Sequence, residues 1–142
     1  MVLGPNKPLT GPGTLTLIGD TMAAQNILVI DDDFSIRGFL QDFFEDRGFN
    51  VTAAGDGADG FDKFQKGNFD LVLCDMLMPK MIGTEVLRRI KELKPDQKVI
   101  MMTGVKEDSM MEKAKALGCH LYLTKPVQLG ELEARVNECL PS

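Results

Sequence analysis

Three carboxylates, Asp31, Asp32 and Asp33, close the short apolar run of residues 27–30. Asp75 closes a second apolar run, Thr103 a third, and Lys125 stands just past a fourth. Two unit charges about 4 Å apart repel by roughly 4 kcal/mol at an effective dielectric near 20, so adjacent acids at the end of a buried strand call for a cation. Carboxylate oxygens with no His or Cys beside them favour Mg²⁺ over zinc. Mg²⁺ keeps several waters, which leaves coordination positions for phosphate oxygens. Lys125 adds a positive charge and Thr103 a hydroxyl donor. Carboxylates, lysine, hydroxyl and a divalent cation on one rim suit phosphoryl transfer, which rests on positioning and charge neutralisation.

The elements between these residues have to bring them to that rim. Residues 27–30 are short and rich in β-branched side chains, the mark of a strand buried on both faces. Ile36, Phe39, Leu40, Phe43 and Phe44 then recur at 3.6-residue spacing, which predicts a helix ended by Gly48. A strand over Asn50–Ala54, a turn at Gly55, Asp56 and Gly57, and a helix through Phe61 and Phe64 follow. Strands are predicted over 70–75, 98–104 and 121–126, and helices over 84–93, 107–117 and Leu129–Cys139. Five strands alternating with five helices make an α/β fold, a parallel sheet covered on both faces. Right-handed crossovers gather the C-terminal ends of parallel strands on one edge, where open α/β sheets bind ligands at a topological switch point. If the first and third strands are neighbours, Asp31 or Asp32 meets Asp75.

The totals bound the reading. At 142 residues, with 44% hydrophobic and 26% charged residues, the chain suits one domain with its own core. A net charge of −5 without a basic run argues against direct nucleic acid binding. No apolar run reaches the about 18 residues of a membrane span, and the N-terminus lacks a secretory pattern. Cys74, Cys119 and Cys139 form an odd, unpaired set, which favours reduced thiols in a cytoplasmic protein. In that setting the sequon at Asn50 carries no meaning. Residues 1–25 read as an N-terminal arm. Residues 1–21 hold three prolines and four glycines, a loop-like composition dispensable for function, with Leu15–Ile18 free to form an edge strand or dock on a partner, and Met22 resembles a natural start.

With "ILVIDDD", "FDLVLCDMLMPKMIG", "VIMMTG" and "YLTKP" in this order and spacing, the chain resembles a receiver domain of two-component signalling, of the chemotaxis-regulator type. The likeness covers about residues 26–140. It implies a flavodoxin-like, doubly wound sheet of strand order 2-1-3-4-5. It implies that Asp75 is the phosphoacceptor, taking a phosphoryl group from a phosphohistidine on a sensor histidine kinase or phosphotransfer protein. Asp32 would bind Mg²⁺ directly and Asp31 largely through water, with Asp75 and the Leu77 backbone carbonyl completing the ligands. Asp33 matches an acidic position outside that set. Lys125 and Thr103 would hold phosphoryl oxygens. Tyr122 would swing inward as Thr103 moves, remodelling the surface of the fourth helix, fifth strand and fifth helix toward a downstream protein or output domain. Pro79 and Gly83 would shape the loop after Asp75, and Pro126, in cis, would aim Lys125. Such a domain is a switch and not an enzyme in its own right, needs no membrane, and signals as a phosphoprotein.

Departures from the family pattern carry expectations of their own. Val127 stands where a phenylalanine is common, and "GCHLY" lacks the acidic pair used in one charged dimer interface. Leu77 and Val105 are apolar where they flank the approach of a hydrolytic water, which predicts slow loss of the phosphoryl group. The competing readings are a docking receiver that works without phosphorylation and a phosphohydrolase using Asp31 as nucleophile and Asp33 as acid/base. The intact set of five residues weighs against the first, and "FS" after the acids, with no later acidic pair, weighs against the second. A flavin site is disfavoured because an acidic loop repels phosphate. Asp70 and Asp56 read as surface and turn residues, His120 as a surface residue, and the methionines as core or partner surface.

Overall fold

The computed structural model describes residues 15–18, 21–104 and 107–140. Its elements are β1 (Leu15–Ile18), β2 (Thr21–Ala24), β3 (Asn26–Ile30), α1 (Phe34–Glu45), β4 (Asn50–Ala54), α2 (Gly57–Lys66), β5 (Leu71–Asp75), α3 (Gly83–Leu93), β6 (Val99–Thr103), α4 (Asp108–Ala116), β7 (Leu121–Thr124) and α5 (Leu129–Cys139). Strands β3 to β7 form one parallel sheet ordered β4-β3-β5-β6-β7, which is 2-1-3-4-5 counted from β3. The expected doubly wound α/β fold is therefore present.

Strand side chains alternate between two cores, and that alternation is why the central strands read as unbroken apolar runs. Ile27, Val29, Leu71, Leu73, Ile100 and Met102 pack with Leu40 and Phe44 of α1 and Leu132 and Val136 of α5. Leu28, Ile30, Val72, Cys74, Val99 and Met101 pack on the opposite face with Phe64 of α2, Val86, Leu87 and Ile90 of α3, and Ala114 of α4. Met101 and Met102 thus belong to the core, one on each face.

Helix boundaries follow local chemistry. The Asp33 side chain caps α1 by accepting from the Ser35 and Ile36 amides at 2.9 and 3.0 Å. At the other end Gly48 takes φ 93°, and the Phe49 amide donates back to the Phe44 carbonyl at 3.1 Å. Phe49 then packs edge-on against Phe44, with ring centroids 5.7 Å apart. On the edge of the sheet away from the acidic residues, α3 hands over to β6 through a tip at Pro95 and Asp96, both exposed.

In the N-terminal stretch Leu15–Ile18 is a strand, one of the two readings its sequence left open. β1 and β2 pair with each other as a two-stranded antiparallel ribbon, with Ile18 opposite Thr21, and β1 is not an edge strand of the main sheet. The signal was the alternation "TLTLI" followed by Gly-Asp, a pair suited to a two-residue hairpin connection. Met22 falls inside β2. The rest of the predicted arm, residues 1–14 and 19–20, lies outside the described residues.

Candidate functional site

Sheet register builds the site. The last registered pair between β3 and β5 is Ile30 with Cys74, so Asp31 and Asp75 emerge side by side. Asp75 is itself opposite Met102 of β6, and Thr103 is opposite Thr124 of β7, which places Lys125 one residue beyond. Backbone bonds continue the pattern past the strands. The Asp31 amide donates to Ala54 at 3.1 Å, the Met76 amide to Met102 at 2.8 Å and the Lys125 amide to Thr103 at 2.6 Å.

Asp31, Asp32 and Asp75 each present a carboxylate oxygen, and these three atoms lie within 4.8 Å of one another. Among the described residues it is the one cluster of metal-ligating side chains of this kind. Asp31 is fully buried, Asp75 is 6% exposed and Asp32 is exposed, so the cluster opens to solvent on the Asp32 side. The Lys125 Nζ donates to Asp31 Oδ2 at 3.0 Å and lies 3.4 Å from Asp75 Oδ2. Asp31 Oδ1 accepts from the Asp33 amide at 2.9 Å, and Asp75 Oδ1 accepts from the Met76 amide at 2.8 Å.

These contacts set the charge states. Burial, reinforced by the Asp31 charge, pushes Asp75 up to about 6 against the pull of Lys125 and the Met76 amide. Burial disfavours the Lys125 ammonium, but its bonds to Asp31 and the charges of Asp31 and Asp75 outweigh that and hold its pKa above the ordinary lysine value. The all-oxygen donor set, excess negative charge and open side together fit a hard divalent cation such as Mg²⁺.

The loop after Asp75 is shaped by glycine and by backbone strain. A Cβ at Gly83 would collide with the Asp75 carbonyl oxygen and the Met76 backbone, so α3 starts this close to the site only with glycine there. Lys80 has φ 72°, and the Met81 amide donates to the Pro79 carbonyl at 2.8 Å across it, a γ-turn of the strained positive-φ kind. Leu77 sits in this loop with its side chain 45% exposed. The Lys125–Pro126 peptide is cis. Thr103 is fully buried. Tyr122, opposite Met101, packs partly into the α2–α3–α4 core. Burial raises its pKa, and its enclosed hydroxyl is influenced by Thr103 without forming a well-shaped hydrogen bond. Val105 lies outside the described residues.

The residues read as bland behave so. Asp70 accepts from the Asn26 amide at 2.7 Å, and His120 is exposed. Asp56 caps α2 through the Asp59 amide at 2.8 Å and also lies 3.4 Å from Lys80. Cys74, Cys119 and Cys139 are unpaired. One residue escaped the sequence reading altogether. Arg37 donates from Nη1 to the Asp31 carbonyl at 2.8 Å. The only trace in the sequence was a lone arginine one turn into the helix that follows the acids.

Known proteins are similar to this chain in sequence and in fold. The chain is 35% identical to sporulation initiation phosphotransferase F of Bacillus subtilis over 84% of its own length and 97% of that protein. It spans about half the length of some transcriptional regulators it matches and 26% of others. Its structure is similar to the chemotaxis protein CheY4 of Vibrio cholerae, with a TM-score of 0.79 and 28% identity over 83% of this chain and 100% of that one. It is also similar to a CheX-CheY-BeF3-Mg²⁺ complex from Borrelia burgdorferi, with a TM-score of 0.73 and 28% identity over 81% and 88% of the two chains. The response regulator receiver domain family matches residues 27–137, nearly the whole span from β3 to α5. With the strand order, the acidic rim and this match in agreement, the chain belongs to the receiver domains of two-component response regulators.

Proposed function

We propose that Asp75 is the phosphoacceptor of a signalling switch. A carboxylate oxygen of Asp75 attacks the phosphorus of a phosphohistidine on a sensor histidine kinase or phosphotransfer protein. The P–N bond breaks, and the leaving imidazole nitrogen keeps the bonding pair. Asp31, Asp32, Asp75 and the Leu77 carbonyl would hold Mg²⁺, which supplies charge neutralisation on the transferring group. Lys125 already lies between Asp31 and Asp75, within reach of a phosphoryl oxygen on Asp75, and Thr103 takes another with its hydroxyl. The movement of Thr103 draws Tyr122 inward and remodels the face of α4, β7 and α5, which a downstream partner or output domain reads. Pro79, Gly83 and Pro126 hold the loops that carry these groups.

The observation that carries the reading is the buried Asp75 flanked by Asp31, Asp32 and Lys125 on the sheet edge. Asp31 shares the Lys125 ammonium at 3.0 Å but is fully buried, whereas Asp75 retains some exposure, which favours Asp75 as the acceptor. Phosphotransfer from a kinase, the three free thiols and the absence of any helix long and apolar enough to cross a membrane among the described residues fit a protein working in the cytoplasm. The test is intact-mass measurement after incubation with acetyl phosphate, with and without Mg²⁺, beside Asp75→Asn. One added phosphoryl group that requires both Mg²⁺ and Asp75 is expected. An adduct that survives Asp75→Asn would move the acceptor elsewhere. No adduct, combined with unshifted Thr103 and Tyr122 resonances in beryllofluoride, would favour a docking receiver that works without phosphorylation.

A further inference from the structure

We infer that Arg37 is a positioning residue for the Asp31–Asp32 pair, working through the peptide that joins them and seated on Gly55. The inference rests on the phosphoacceptor reading and concerns a residue that holds none of the reacting groups.

Arg37 is on the first turn of α1, where its amide donates to the Asp33 carbonyl at 2.9 Å. Helical side chains lean toward the N-terminus, which turns its guanidinium back over the acidic loop. There Nη1 donates to the Asp31 carbonyl at 2.8 Å. That carbonyl belongs to the peptide unit between Asp31 and Asp32, so fixing it fixes the direction from which both side chains depart.

Two further contacts hold the guanidinium in place. A Cβ on Gly55 would lie 3.1 Å from Nη1, 3.4 Å from Cζ and 3.7 Å from Nη2, so the planar group lies flat over the glycine. On another side the Phe34 ring centroid is 5.5 Å from Cζ, a cation–π contact that gives a role to a side chain 80% exposed. Gly55 is not at positive φ, so its lack of a side chain serves the guanidinium and not the backbone.

The two acids depend on this support unequally. Asp31 has restraints of its own, through the Asp33 amide, the Ala54 carbonyl and Lys125. Among the described residues the Asp32 carboxylate has no hydrogen-bond or ion-pair partner, so its placement comes through the backbone that Arg37 holds.

The test titrates Mg²⁺ alone into the full chain by calorimetry, for wild type, Arg37→Ala, Arg37→Lys, Gly55→Ala and the control Arg47→Ala. Outer partners of metal ligands typically contribute about tenfold or more in affinity, so Arg37→Ala is expected to weaken Mg²⁺ binding about tenfold. Arg37→Lys keeps the charge and one donor and should fall between. Gly55→Ala crowds the guanidinium and should weaken binding in the same direction. Arg47→Ala, which removes an arginine just past the end of α1 that is paired with Glu133, should leave Mg²⁺ affinity at the wild-type value. Phosphorylation by acetyl phosphate should need more Mg²⁺ in Arg37→Ala yet reach the wild-type plateau rate, a split that mere loss of stability would not produce. Folded Arg37→Ala with unchanged or tighter Mg²⁺ binding would overturn the inference, tighter binding meaning that the guanidinium acts only by repelling the cation. Should Arg37→Ala not fold, wild-type affinity in both Arg37→Lys and Gly55→Ala would overturn it as well. A wild-type chain that neither binds Mg²⁺ nor takes a phosphoryl group would remove the phosphoacceptor reading and this inference with it.

Discussion

Asp75 has to be buried and negatively charged at once. Its pKa near 6, against an ordinary value of 3.8, means that the folded state binds more proton than the unfolded state between about pH 4 and 6. Stability of the metal-free protein therefore falls as pH rises through that window, by up to about 3 kcal/mol for a two-unit shift. Asp75→Asn removes the charge without changing shape. It should stabilise the metal-free protein by about 1–3 kcal/mol at pH 7 and by nothing measurable at pH 4. Urea denaturation in a chelator at both pH values checks this, and an equal gain at both would contradict it. At the same scale, Leu77 is apolar and 45% exposed in the loop after Asp75, and on the proposed function it would leave a water approaching Asp75 without an ordering group. Leu77→Asn should shorten the phosphorylated state roughly tenfold, less than a fully positioned general base contributes. The decay of the phosphorylated mass after donor removal reports it. The edge placement of Asp31, Asp32, Asp75, Thr103 and Lys125 was readable from sequence because each lies at or just past the end of an apolar strand, whereas Leu77 entered only through the family resemblance. Arg37 was not readable, because its partners are a backbone carbonyl and a glycine from another turn, and neither leaves a periodic trace.

At the scale of elements, helix and strand types were legible wherever period 3.6 or a continuous apolar run was long enough to dominate. Boundaries moved by a residue or so where side-chain chemistry stops an element. The strand expected over 70–75 begins at Leu71, with Asp70 bonded to Asn26 through both its amide and its side chain at the strand's start. The strand expected over 121–126 ends at Thr124, ahead of the Lys-Pro pair. A strand at Leu15–Ile18 was legible as an alternative, but its pairing with β2 was not, because the glycine and proline content masked the short alternation. Gly83 shows how closely an element is coupled to the chemistry. Gly83→Ala places a methyl group against the Asp75 backbone, and overpacking of that kind costs about 1–3 kcal/mol. The variant should lose stability of that order and accept phosphoryl groups more slowly, whereas Gly38→Ala, with open space at its Cβ, should do neither. Denaturation midpoints and acetyl phosphate kinetics on the two variants decide the matter.

For the whole molecule, a ligand that binds only the folded state stabilises it by about 2.7 kcal/mol at one hundred times its dissociation constant. Mg²⁺ at that level should raise the melting temperature, a chelator should reverse the rise, and a chain starting at Met22 should show the same gain. A Met22 chain that failed to fold would give the N-terminal stretch a structural part after all. The family match, the strand order and the acidic rim agree because the same parallel register that buries two cores also lines up the strand ends. That register separates the two edges of the sheet. The exposed tip at Pro95 and Asp96 lies just before β6, whose five residues, ending at Thr103, span roughly 16 Å. A foreign segment spliced there, such as a fluorescent reporter or a surface tether, would stand a full strand length from the phosphoryl chemistry. The molecule is thus laid out for attachment on one side and reaction on the other, which makes it a natural frame for a sensor that reports its own phosphorylation.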